Sequence, residues 1–94
     1  MNLNEYAALD ATGLAELVAR RAVSPREAAD AVARAIAETN GTINAVVETY
    51  PDRIEALDEA ALGDGPFRGV PFLIKDVGGH EKGRRIEFGS RLCA

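Results

Sequence analysis

The hydrophobic positions change period three times along the chain, and each change marks an expected element. Over residues 9–22, "LDATGLAELVARRA", Leu14, Leu17, Val18 and Arg21 fall at helical spacing, with Asp10 or Thr12 placed to cap. Residues 24–41, "SPREAADAVARAIAETNG", carry a stronger helix signature. Ser24 stands as N-cap, Pro25 at the first helical position, and Glu27 completes the S-x-x-E capping box. Ala28, Val32, Ala35, Ile36 and Thr39 form one narrow stripe, and Asn40-Gly41 offers residues that tolerate positive φ at the end. With so much alanine, this helix is expected to pack closely while burying modest area.

The period then shortens. Ile43, Ala45, Val46, Val47 and Tyr50 in "INAVVETY" suit a short strand. Pro51 opens a third helix, "PDRIEALDEAALG", with Ile54, Leu57, Ala60 and Ala61 three and four apart. After a Gly63–Pro66 loop, residues 69–77 form a nearly continuous apolar run, the pattern of a strand covered on both faces. Pro71 sits near its start, where a missing backbone donor is tolerable, and Gly78-Gly79 ends it. Residues 80–94 are polar and poorly periodic.

The expected class is therefore α/β, with about three helices and two short strands in one partial domain over 1–94. Residues 1–62 form a helical region with one short strand, and 66–94 a lysine-bearing strand and tail. Two strands and three helices do not close an α/β core, so the unit is expected to be incomplete as a stand-alone domain. The run 70–77 is then a surface for self-association.

Length and composition narrow the function. A chain of 94 residues buries roughly 60–65% of the surface its unfolded form exposes, so its stability margin is thin. At 47% hydrophobic and 28% charged residues it is globular in composition, not disordered. The net charge of −4 opposes nucleic-acid binding, and "KGRR" at 82–85 is too short an electrostatic footprint. A single cysteine, Cys93, allows no internal disulfide. The opening "MNLNEYAALDA" lacks the basic start and apolar run of a signal peptide, and no apolar run is long enough to span a bilayer. These features lead to the expectation of a cytoplasmic protein with no membrane or nucleic-acid partner.

Lys75 is the residue that raises a chemical question. Lys75 and Lys82 are the two lysines in the sequence, and Lys75 lies inside "GVPFLIKDV", followed at once by Asp76. Two readings of the residues stay open. The lysine can stand at a strand end and reach water with its ammonium. Alternatively, burial disfavours the charged amine, lowers its pKa and makes it a general base able to activate a serine hydroxyl. Adjacent strand residues point to opposite faces, so Asp76 need not hold the amine in its charged form.

Residues 9–47, the segment "GPFRGVPFLIKDV" at 65–77 and "FGSR" at 88–91 together resemble, in this order, the N-terminal part of the amidase signature family of serine hydrolases. The resemblance implies an α/β/α fold and a Ser–Ser–Lys triad in which Lys75 is the triad lysine. It would act through a bridging serine, held by a cis peptide bond, on a nucleophilic serine. An acyl-enzyme forms, and its hydrolysis completes cleavage of the amide. Backbone N–H groups of a Gly/Ser-rich loop would hold the oxyanion. No metal or organic cofactor is implied, and a small-molecule amide is the implied substrate.

In that family both serines and the Gly/Ser-rich loop lie downstream of the lysine strand. The two serines here are Ser24, explained as a helix cap, and Ser90, which matches the family's Gly-Ser after the lysine strand and not its nucleophile. The expectation is an N-terminal fragment that carries the catalytic lysine and is inactive alone. Alternatives are one chain of a split amidase completed by a downstream segment or second chain, or a non-catalytic binding or assembly module. The substrate stays open among those of a general amidase, a transamidation subunit and a cyclic-amide hydrolase. Other groups offer little. His80 beside Glu81 lacks metal-ligand spacing, Cys93 has no placed base, Gly63, Gly65 and Gly69 precede no helix that could hold a phosphate, and Asp58-Glu59 are neighbours and not a facing pair.

Overall fold

The computed structural model describes residues 1–75, 82, 84 and 91–93. Among the described residues four helices follow one another: α1 at Leu3–Ala7, α2 at Ala11–Ala19, α3 at Pro25–Ile43 and α4 at Pro51–Glu55. Short 3-10 turns occupy Glu59–Ala61 and Arg91–Cys93.

Local capping chemistry explains where the first three helices begin. Asn2 starts α1: its side-chain oxygen accepts from the Glu5 N–H at 2.8 Å while its amide donates to Glu5 Oε1 at 3.0 Å. No helix was expected here from the sequence; the Asn-x-x-Glu spacing is the signal that could have shown α1. Asp10 caps α2 by accepting from the Gly13 N–H at 2.7 Å. At Ser24 the capping box is complete. Its hydroxyl accepts from the Glu27 N–H at 3.1 Å, and Glu27 Oε1 accepts from the Ser24 N–H at 3.3 Å.

The helix ends are less conventional. α2 stops at Ala19, short of Arg21. The Arg21 N–H donates to the Val18 carbonyl at 3.0 Å and the Ala22 N–H to the Leu17 carbonyl at 2.9 Å, the crossed pair of a Schellman motif. Arg21 occupies the left-handed position at φ 61°, where glycine is usual. α3 runs past Asn40-Gly41 to Ile43 and ends on Asn44, itself left-handed at φ 50°, ψ 40°.

The core lies where α2 meets the start of α3. Leu14, Ala15 and Val18 from α2, Val23 from the link, and Ala28 and Ala31 from α3 are buried, the last two completely. Met1, Tyr6, Leu9, Leu17 and Val70 pack around the Leu14–Val23–Ala28 centre. An Arg34 guanidinium bonded to the Met1 carbonyl helps hold the N-terminal residues against α3. The alanines permit close approach at the expense of buried area, as their abundance predicts.

The expected α/β class is not what forms. Among the described residues there is no strand, so the strand expected over 43–50, the described part of that over 69–77, and the two-strand partial domain are corrected to a helical arrangement with irregular connections. The physical reason is visible at Val46. Its carbonyl accepts from Asn40 Nδ2 at 2.7 Å and its N–H donates to Asn40 Oδ1 at 2.8 Å, so one side-chain amide satisfies both groups that a neighbouring strand would have satisfied. The third helix is also divided. α4 ends at Glu55, and the Asp58 carboxylate caps a separate turn by accepting from the Ala60 N–H at 3.0 Å.

Candidate functional site around Lys75

The lysine-bearing segment leaves the core through a tight, anchored turn. The Arg68 N–H donates to the Gly65 carbonyl at 3.1 Å and the Val70 N–H to the Phe67 carbonyl at 3.0 Å. Arg68 Nη2 also donates to the Glu59 carbonyl at 2.7 Å, tying the turn to the one before it. Gly69 has φ +79° and lies against Pro25 and Val18, and Val70 packs on the core. A shallow groove of about 290 Å³ runs beside this exit, lined by Tyr6, Leu9, Leu14, Val70 and Pro71 among others.

Beyond Pro71 the surroundings change within one residue. Phe72 is 81% exposed, Leu73 65% and Ile74 48%, and Lys75 is exposed too. Among the described residues, Phe72 to Lys75 take part in no hydrogen bond. Phe72, Leu73 and Ile74 therefore present their side chains outward. A base role requires desolvation of the amine, and the described residues do not provide it.

The other candidates separate clearly. The Ser24 hydroxyl is engaged as the α3 cap. Asp76, His80, Glu81 and Ser90 lie outside the described residues, and Cys93 lies in the turn Arg91–Cys93. Asp58 and Glu59 are both exposed, with Asp58 engaged as a cap. The described residues hold no group of three or more side chains suited to a metal ion. None of their helices is long and apolar enough to cross a membrane. One contact was not foreseen: Arg84 pairs with Asp52 at 3.2 Å and stacks its guanidinium 4.1 Å above the Tyr50 ring centroid, at the start of α4.

Comparison with known proteins bears on the chain as a whole. The chain is 41% identical over 68 residues to proteins named 6-aminohexanoate-cyclic-dimer hydrolase from Pseudomonas sp. (strain NK87) and Paenarthrobacter ureafaciens. It is 38% identical over 76 residues to an acylamidase from Rhodococcus erythropolis. These matches take in 72% of this chain in the first two cases and 73% in the third. They cover 13% of the length of each cyclic-dimer hydrolase and 16% of the acylamidase. No family model and no solved structure matches. The chain is thus similar, over most of its own length, to a small part of hydrolases of the amidase type.

Proposed function

We propose that this chain is the N-terminal, lysine-bearing part of an amide-bond hydrolase of the amidase signature kind, with Lys75 as its general base. The observation that carries the reading is the 38–41% identity to a cyclic-dimer hydrolase and an acylamidase over nearly three quarters of the chain. The exposure of Phe72, Leu73 and Ile74 supports it. Covering an apolar side chain of this size stabilises by about 1.5–3 kcal/mol, so the segment favours a covering partner. That cover would also desolvate the lysine amine beside it.

In the completed enzyme the neutral Lys75 amine takes a proton from a bridging serine, which takes one from the nucleophilic serine. The serine oxygen attacks the amide carbonyl, the C–N bond breaks, and the leaving nitrogen receives the proton. Water then hydrolyses the acyl-serine. Both serines and the oxyanion donors come from outside these 94 residues, and the chain alone hydrolyses no amide. Substrate choice belongs to those other parts.

The test replaces the corresponding segment of the Rhodococcus erythropolis acylamidase with residues 1–94. The graft is expected to retain amide hydrolysis, and Lys75→Ala within it to remove at least about 1,000-fold of kcat, as loss of a triad member does. An active graft indifferent to Lys75→Ala would sink the assignment. Turnover of an aryl amide by the isolated chain, abolished by Lys75→Ala, would overturn its inactivity alone and leave the lysine assignment standing.

A further inference from the structure

We infer that Gly69 is a positioning residue for the lysine: it fixes the point and direction at which the segment carrying Lys75 leaves the helical core. The inference rests on the proposed role of Lys75 and adds a residue to which that reading gives no part.

Two independent features make position 69 exacting. Its φ of +79° lies in the left-handed region that glycine adopts freely. Its α-carbon also approaches α3 and α2 so closely that a β-carbon would stand 2.8 Å from Pro25 Cγ, 3.0 Å from Pro25 Cβ and 3.3 Å from Val18 Cγ1. Neither neighbour gives way easily. Pro25 is buried, is a rigid ring and is the first residue of the capped helix α3, while Val18 is buried in the core. An alanine at 69 would have to open the Pro25 contact from 2.8 Å to at least the 3.4 Å of ordinary packing. It would also have to leave its backbone conformation.

Any such movement is passed on to the lysine. Val70, the next residue, is the last of the described residues whose side chain packs on the Leu14–Val23–Ala28 centre. From Phe72 to Lys75 the described residues offer neither burial nor hydrogen bonds to correct an altered course. The direction of the segment is therefore set upstream, by the turn 65–70 and chiefly by Gly69 against Pro25. Proton transfer demands near-contact geometry, and a misplacement of about 1 Å can lower the rate about 100-fold.

Two measurements test this. In the 94-residue chain, Gly69→Ala is expected to shift the backbone amide resonances of Phe67 to Lys75 and to remove the nuclear Overhauser contact between Gly69 and Pro25. The amides of α3 beyond its first turn should stay in place. In the acylamidase graft, Gly69→Ala is expected to lower kcat by about 10–100-fold with KM changed less than about threefold. Pro25→Ala, which removes the atom 2.8 Å away, should restore part of that loss when combined with it. Simple destabilisation would not produce that rescue, because Pro25→Ala weakens the start of α3. Activity is compared per active site, titrated with a serine-directed covalent inhibitor. A graft that loses activity with Lys75→Ala but keeps full kcat with Gly69→Ala overturns the positioning role and leaves the lysine assignment standing. A loss with Gly69→Ala that Pro25→Ala deepens also overturns it. An active graft indifferent to Lys75→Ala overturns the reading beneath both.

Discussion

The junction of α2 with α3 and the segment from Phe72 to Lys75 are built from similarly apolar stretches, yet they end in opposite environments. Leu14 is 4% exposed and Val18 5%, whereas Phe72 is 81% exposed and Leu73 65%. In the first case the partner face is close in sequence: Ser24 caps α3 at once after the α2 turn, and Leu14 and Ala28 cluster with Val23 of the short link. In the second, the backbone and side chains require neighbours on several sides, and none comes from the described residues. Hydrophobicity states what burial would be worth. It does not supply the partner.

That contrast can be broken at its strong end first. Leu14→Ala should cost about 2–4 kcal/mol by leaving a cavity in a core with few large side chains. Because the margin of so small a domain is thin, the expected reading is loss of a cooperative far-UV circular dichroism transition on heating. A melt within a few degrees of the parent would show that the α2–α3 junction is not the centre of stability. A smaller effect of opposite sign is expected at the end of α2. Arg21 is a non-glycine residue at φ 61° in a Schellman turn, and Arg21→Gly removes that strain. A gain of about 0.5–1 kcal/mol in a urea titration is expected, after the added chain entropy of glycine is subtracted. At the weak end, Phe72→Ser and Leu73→Ser should each change the stability of the isolated chain by less than about 0.5 kcal/mol, because these side chains already face water. A destabilisation above about 1.5 kcal/mol by either would mean that 72–74 is covered in solution, and would erase the contrast.

The legible parts of the fold share one property: their signals are short in sequence. The Ser24–Pro25–Glu27 signature was readable because a capping box is completed within four residues. The same rule read at Asn2 and Glu5 gives α1. The two expected strands belong to the other kind, since a strand is satisfied only by a neighbour that can come from anywhere in the chain or from another one. At Val46 the Asn40 side chain took that place, a competition between a local side-chain amide and a distant backbone that the pattern of Val and Ile does not encode. Helix α4 ends at Glu55, and beyond it Asp58 caps a separate turn that Arg68 holds through the Glu59 carbonyl.

The candidate site divides the same way. Lys75 stood out from the sequence by rarity and by its apolar neighbours, and the resemblance of "GVPFLIKDV" gave it a role to propose. Its exposure, and the dependence of its course on Gly69 and Pro25, came only from the folded chain. Gly69 and Pro25 are 44 residues apart, and nothing in either residue announces the other. The sequence by itself thus determined where helices start, which residues want burial and which side chain carries the candidate chemistry, because these follow from bonds within a turn and from side-chain solvation. The tertiary structure alone decided which apolar residues are buried, that Val46 pairs with an asparagine and not a strand, and that the lysine segment departs from a glycine pressed on a proline. Those outcomes depend on which surfaces meet across the chain, and contact between distant segments is set by their combined packing.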